Sequence, residues 1–284
     1  MAALMHKYGG WCFIDFAASA PYEHINMHPE NEEERLDGIF FSPHKFLGGP
    51  GASGVLIFNK ALYNSKSPDH PGGGTVEWTN PWGEYQYLKD IEAREDGGTP
   101  GFLQAIRTAL AIQLKEEMGA EKIVEREKEL LNKAFAFLDT IPNLRILASN
   151  VRERLGVISF YIENVHYNLI VKLLSDRYGI QVRGGCACAG TYGHFLLNVS
   201  HEKSNLITEK ITSGDLSEKP GWVRLSLHPT MTDAELEIIL NAIKDIAENH
   251  REWGNDYSYD NHSNEFYNRH PIDITDEFLN QIFN

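Results

Sequence analysis

The stretch from Phe40 to Phe58 (FFSPHKFLGGPGASGVLIF) limits the fold more than any other part of the chain. It contains an apolar strand, Ser-Pro-His-Lys, a glycine-rich turn and a second apolar strand. Lys45 precedes four glycines, at positions 48, 49, 51 and 54. A lysine placed there can lose part of its hydration while the backbone passes close to a ligand, and both conditions suit a Schiff-base lysine. The stretch by itself favours the alternative, a β-hairpin with a solvated lysine, and the rest of the chain has to decide between the two.

The charge of the chain excludes some classes of partner. The 284 residues include 40 acidic and 26 basic ones, for a formal net charge of −14. This balance argues against sequence-independent nucleic-acid binding, which needs a positive field, but allows a small anionic ligand in a local pocket. We expect no membrane span, because no run of about 18 apolar residues occurs. The N-terminus lacks a basic and then apolar signal segment.

The three cysteines, Cys12, Cys186 and Cys188, are too few and too unevenly placed for a disulfide framework. A reducing cytoplasm is therefore the expected compartment. Cys186 and Cys188 together with His194 and His201 offer four ligands for a metal ion. Tetrahedral zinc sites usually have wider cysteine spacing, and we predict no metal.

Two further segments of the first half contain candidate residues. A short strand, Trp11 to Phe16, carries Asp15 near its carboxyl end, where open parallel sheets bind ligands. An N-cap role for Asp15 is the alternative. Residues 59–96 are predicted to be mostly irregular, and such a long loop is usually functional or covered by a partner. Thr99 then precedes Pro100 as the predicted N-cap of a helix over 100–117, which is a good seat for a phosphate.

The second half has the pattern of a small α+β domain with helices on one face of an antiparallel sheet. A capping box, Thr232-Asp-Ala-Glu235, opens its final helix. A glycine- and cysteine-rich loop, RGGCACAG, follows a short strand. The predicted elements are helices over 121–138, 166–178, 201–213 and 232–249, and strands over 144–148, 155–162, 180–183 and 222–227.

These motifs, in this order, resemble the class V aminotransferase family, and within it the cysteine desulfurases and selenocysteine lyases. The resembling segments are FIDFAASAPY, SPHKFLGGPGASGVLIF, GGTPG, VRGGCACAG and GWVRLSLHP. The resemblance covers residues 2 to 250 and implies the α/β type I fold of pyridoxal phosphate (PLP)-dependent transferases, like that of aspartate aminotransferase. It implies part of the large domain over 1–118, the small α+β domain over 119–253, and a polar, aromatic tail over 254–284.

By resemblance, Lys45 forms the Schiff base with PLP and Asp15 keeps the pyridine nitrogen protonated. Ser42 and His44 resemble phosphate contacts. Thr99 resembles the phosphate contact that one subunit of a homodimer donates to the cofactor of the other.

The resemblance also implies the reaction. Arg224 binds the substrate carboxylate as a bidentate fork, and Arg183 helps to shape the same region. Cys188 is at the position of the persulfide-forming cysteine, where nearby arginine charge favours its thiolate. Cys186 is an extra thiol. The expected substrate is a small, cysteine-like amino acid, and a sulfur-acceptor protein is a further expected partner.

Two departures from the family pattern leave alternatives open. Ala18 stands where the family usually has a glutamine that contacts the cofactor ring, which puts the reaction type in doubt. The family also carries roughly a further half-domain before the Asp15 strand. We therefore expect a fragment or one half of a split protein, with an exposed sheet edge and apolar face. The alternatives are a non-catalytic binding or assembly module and a different class V transaminase or lyase.

Overall fold

The computed structural model describes residues 1–186 and 189–270. It divides into two compact units, Met1–Val124 and the chain from Glu125 onward. The helices and strands of the first unit are α1 (Ala2–Lys7), β1 (Phe13–Asp15), β2 (Gly38–Phe41), β3 (Val55–Phe58), β4 (Val76–Thr79), β5 (Tyr85–Tyr87), α2 (Ile91–Glu95) and α3 (Phe102–Met118). Helix α4 (Ala120–Leu138) contains the division between the units.

The first unit is built on a three-stranded sheet in the order β1-β2-β3. Strand β1 runs parallel to β2, with Asp15 opposite Phe40, whereas β2 and β3 are antiparallel. Its buried core is small and consists of Ala20, Phe46 and Ala111 with a few partly buried neighbours.

Much of the apolar surface of this unit is exposed, as the sequence predicts. Four side chains of α3 are more than half exposed, namely Phe102, Leu103, Ile106 and Leu110. On the sheet, Phe13, Phe40, Leu56 and Ile57 are also exposed. So many exposed large apolar side chains in one unit are typical of surfaces that another polypeptide covers.

Residues 59–96 are mostly irregular, as predicted, but they also contain two short strands and a helix that the sequence did not predict. Strands β4 and β5 form an antiparallel hairpin with a bulge at Val76/Trp78, and α2 follows. Tyr63 donates a hydrogen bond to Glu95, which also accepts from the backbone of Asp69 at 3.0 Å. The strands are short and exposed, so the alternation of apolar and polar residues that marks a half-buried strand is missing.

The second unit contains the small α+β domain that the sequence predicts. Its elements, besides the last part of α4, are β6 (Leu144–Ile146), β7 (Val157–Ile162), α5 (Tyr167–Tyr178), β8 (Arg183–Gly185), α6 (Gly190–Leu196), α7 (His201–Thr212), β9 (Trp222–Ser226), α8 (Asp233–Trp253), β10 (Tyr257–Asp260) and β11 (Glu265–Asn268). The antiparallel sheet has the order β6-β7-β9-β8. Alternate residues of β7 and β9 form one core with α4, α5 and α8. The capping box of Thr232 and Glu235 opens α8 as predicted.

Residues 257–268 form a hairpin, β10–β11, within the second unit. The domain ranges 1–118, 119–253 and 254–284 remain predictions. The division between the two units falls inside α4, and the hairpin belongs to the second unit.

Candidate active site

The turn that carries Lys45 begins directly after β2. Pro43–Lys45 is a short 3-10 turn, closed by hydrogen bonds from the amides of Lys45 and Phe46 to Ser42 and Pro43. The buried Phe46 ring anchors the turn, while Ser42 is half-buried and both His44 and Lys45 are exposed. The described residues therefore do not desolvate the Lys45 ammonium group. This exposure agrees with the solvated lysine of the alternative and not with the partial loss of hydration that suits a Schiff-base lysine.

The glycine-rich turn after Lys45 is needed for close backbone packing at one position above all. A Cβ atom at Gly49 would lie 1.9 Å from the carbonyl oxygen of Pro43. Helix α3 holds the same turn, because Arg107 and Thr108 donate hydrogen bonds to the carbonyl oxygens of Pro50 and Ser53.

Asp15 and the lysine turn lie at the same edge of the sheet. Since β1 and β2 are parallel and Asp15 pairs with Phe40, the chain leaves both strands at this edge. Asp15 Oδ1 also accepts a hydrogen bond of 2.8 Å from the amide of Ala17. The carboxylate thus stabilises the turn after β1. Accepting a backbone amide in this way is similar to the N-cap role that is the alternative for Asp15.

Thr99 lies exposed in the loop between α2 and α3, within the first unit. Its predicted role as N-cap is wrong, since α3 begins at Phe102 with Gly101 as N-cap. A contact with the loop at Gly73 holds the backbone before Thr99. Gly98 has φ +98° and donates a hydrogen bond of 2.8 Å to the carbonyl oxygen of Gly73.

In the second unit, the structure brings Arg183 and Arg224 together. They are directly opposite each other on β8 and β9, and Ser159 of β7 continues the row. Directly opposed residues of an antiparallel pair lie on one face, and like charges there destabilise the pair. Val223 and Leu225 point into the core, so Arg224 lies on the other face of the sheet. Its Nε atom is buried and makes no hydrogen bond within residues 1–186 and 189–270. Such a row fits an anionic ligand.

The cysteine loop begins where β8 ends. Cys188 lies outside the described residues, and Cys186 is half-buried. The Cys186 thiol donates a hydrogen bond of 2.9 Å to the carbonyl oxygen of Pro220. Burial raises the pKa of Cys186, although the positive charge of Lys219 opposes this effect. Cys186 is therefore mainly a thiol at neutral pH.

In the part of the chain that the structure describes, no three or more histidine, cysteine, aspartate or glutamate side chains are close enough together to hold a metal ion. Both ring nitrogens of His194 are engaged, with the carbonyl oxygen of Gly190 and the hydroxyl group of Ser204, each at 2.9 Å.

A cavity of about 690 Å³ lies beside Arg183 and Cys186. Sequence reasoning missed several residues that line it, among them Tyr167, Lys172, Lys219 and Asn264. The alternation of aromatic and polar residues in YSYDNHSNEFYN, around a turn rich in asparagine, could have predicted the hairpin that supplies Asn264.

The residues at these two places suit the functional groups of PLP and an amino acid. An amine, a carboxylate and a hydroxyl group, on Lys45, Asp15 and Ser42, belong to one sheet edge. The buried Nε of Arg224, unsatisfied by described residues, suits a carboxylate.

Within residues 1–186 and 189–270, none of the helices combines the length and the apolar composition of a transmembrane span.

Comparison with known proteins identifies relatives over most of the chain. A probable cysteine desulfurase of Halalkalibacterium halodurans is 32% identical over 190 residues, covering 66% of this chain and 44% of the relative. A probable cysteine desulfurase of Staphylococcus epidermidis is 31% identical over 183 residues, covering 64% of this chain and 42% of the relative. The chain thus spans less than half the length of these curated relatives.

Solved structures agree on the fold. A cysteine desulfurase from Thermococcus onnurineus is 25% identical with a TM-score of 0.66, and the match covers 86% of this chain and 54% of that one. A cysteine desulfurase from Escherichia coli is 22% identical with a TM-score of 0.64, and the match covers 87% and 54%. These likenesses confirm the type I fold of PLP-dependent transferases. The family model for class-V aminotransferases matches residues 1–239, so the chain belongs to this family, whose cofactor is pyridoxal 5′-phosphate, as the sequence predicts.

Proposed function

We propose that the chain carries active-site residues of a PLP-dependent cysteine desulfurase. The observation that carries this proposal is the buried Nε of Arg224, which makes no hydrogen bond within residues 1–186 and 189–270 and suits an anionic partner such as a substrate carboxylate. The curated relatives, each called a probable cysteine desulfurase, support the reaction type.

In this proposal the first unit holds the cofactor. Lys45 supplies the amine that binds it and moves protons at the substrate carbon, and Asp15 pairs with its pyridine nitrogen. Ser42 and His44 contact the phosphate, and Thr99 contacts the phosphate of the partner subunit in a homodimer. When bound, PLP accepts electrons from the bonds that break.

The second unit binds the substrate. Arg224 holds the carboxylate of cysteine as a bidentate fork, which lysine cannot form, and Arg183 completes the positive row. The Cys188 thiolate attacks the substrate sulfur. An S–S bond forms as the Cβ–S bond of cysteine breaks, and the electron pair of that bond moves to Cβ, which takes up a proton. Lys45 returns to Cα the proton that it removed, and alanine and a Cys188 persulfide are the products. A sulfur-acceptor protein then takes the outer sulfur, in a reducing cytoplasm.

Two measurements test the proposal. PLP is added to the chain, and borohydride then reduces any imine that PLP has formed with a lysine. Peptide mapping by mass spectrometry is expected to find the label on Lys45. Sulfide released from cysteine in the presence of excess dithiothreitol, which reduces the Cys188 persulfide, is then compared between Cys188→Ala and the matched control Cys186→Ala. Only Cys188→Ala is expected to abolish release. Equal release by the wild type and Cys188→Ala would reject the assigned nucleophile.

A non-catalytic binding or assembly module is the second candidate function. The exposed apolar side chains of α3 favour it, because an assembly surface needs them. An exposed Lys45 is also compatible with such a surface. Absence of any PLP label on Lys45 would support the module for this chain.

A further inference from the structure

We infer that the hairpin β10–β11 is a clasp, in which Asn264 and Tyr167 act as positioning residues for β8 and Cys186. The role of Arg183 in this inference rests on the proposed function. The family match ends at residue 239, so the hairpin lies beyond the part that the family model describes.

Asn264 is the central residue of the clasp. It is 7% exposed and adopts φ +61°, in the left-handed region that asparagine tolerates. Its Nδ2 donates to the hydroxyl group of Tyr167 at 2.8 Å, and its Oδ1 accepts from the hydroxyl group of Tyr259 at 2.8 Å. Its carbonyl oxygen accepts from Asn168 Nδ2 at 2.5 Å. A buried amide with these partners fixes the hairpin to the start of α5.

The ring of Tyr167 fills space that glycines leave in β8 and directly before β9. A Cβ atom at Gly184 would lie 3.0 Å from Tyr167 Cδ2, and one at Gly221 would lie 2.5 Å from Tyr167 Cε1. The same added atom at Gly221 would lie 2.8 Å from the Cα of Gly185. The position of the ring therefore sets the position of β8, which has Arg183 at one end and Cys186 just beyond the other.

A second set of contacts connects the hairpin to the loop that bonds Cys186. The amide of Leu216 donates to the carbonyl oxygen of Asn261 at 2.8 Å, and His262 Nδ1 donates to that of Gly214 at 2.9 Å. The same loop continues to Pro220, the acceptor of the Cys186 thiol. Loosening the hairpin should therefore expose Cys186.

The test uses thiol reactivity, which does not require the cofactor. In a Cys188→Ser background the chain keeps two thiols, Cys186 and the buried Cys12 of the first unit, which reports general unfolding. Asn264→Gly removes the side chain and still permits a positive φ. Alkylation of Cys186 by iodoacetamide, followed by peptide mass spectrometry, is expected to accelerate about fivefold, as for the loss of one or two neutral hydrogen bonds. Cys12 should not change.

Two further variants sharpen the result. Tyr167→Phe keeps the ring but loses the hydroxyl group, and should accelerate Cys186 alkylation by a smaller factor. Ser258→Ala, on an exposed position of the same hairpin, should leave both thiols unchanged. An unchanged Cys186 rate in both Asn264→Gly and Tyr167→Phe would overturn the inference. So would a parallel acceleration of Cys12 in both variants, because the effect would then be general unfolding.

With Cys188 restored, Asn264→Gly is expected to raise KM for cysteine more than it lowers kcat, since Arg183 moves with β8. A lower kcat at unchanged KM would overturn the link to Arg183. If the wild-type chain releases no sulfide, the proposed desulfurase function fails for this chain, and the alkylation rates still decide whether the clasp exists.

Discussion

Replacing Gly49 by alanine should disrupt the turn that presents Lys45. The added Cβ would lie 1.9 Å from Pro43 O, 2.9 Å from Pro43 C and 3.0 Å from Phe46 O. All three atoms belong to the backbone, so no side-chain rotation relieves the contact. Overpacking of this kind costs about 1–3 kcal/mol. The variant should weaken the hydrogen bonds from the amides of Lys45 and Phe46 that close the turn Pro43–Lys45.

Hydrogen exchange of the peptide covering residues 38–58 measures this effect locally. A loss of about 2 kcal/mol corresponds to roughly 30-fold faster exchange of its protected amides. Gly54→Ala is the matched control in the same turn, because the nearest atom to its added Cβ is Phe41 O at 4.0 Å. Borohydride trapping of PLP on Lys45 should fall for Gly49→Ala alone. Equal exchange in the two variants would refute the claim that Gly49 is needed for backbone packing.

Three other predictions concern the second unit. Arg224→Lys should raise KM for cysteine by at least tenfold, since lysine cannot form the bidentate fork. The control Lys133→Arg on α4 should leave KM unchanged, and equal KM values for the wild type and Arg224→Lys would contradict the role of Arg224. Burial, together with the carboxylate of Asp176, raises the pKa of Tyr257 to about 12. Because this folded-state pKa lies above the ordinary value of 10.0, the stability that neutral Tyr257 contributes should be fully present below pH 10 and should be lost as the pH rises towards 12. Hydrogen exchange of 257–268 should show this loss, and Tyr257→Phe should lack it. Thr232→Ala removes the capping box of α8 and should lower the free energy of unfolding by about 1 kcal/mol in urea, whereas the exposed Thr230→Ala on the preceding turn should cost less.

Local patterns predicted much of the fold. The capping box at Thr232, the amphipathic α4 and the alternation in β7 each depend on a few neighbouring residues, and the structure contains all three elements. The hairpin β4–β5 and the start of α3 were not predicted correctly. Their bounds depend on backbone contacts between glycines distant in sequence, such as that between Gly73 and Gly98.

The order of motifs in the sequence, by itself, determined the family, the cofactor and the choice of Lys45, Asp15, Arg183 and Arg224 as candidates. Residue type limits the chemistry a side chain can perform, and a sequence records residue types directly. Only the tertiary structure decided which candidates meet. Strand pairing placed Arg183 opposite Arg224, and the parallel β1 and β2 brought Asp15 to the edge of the Lys45 turn. Tertiary packing also joined Asn264 to Tyr167 across 97 positions of sequence. Such contacts depend on strand register and on the close packing that glycine allows because it has no side chain. Both are determined only when segments distant in sequence pack together.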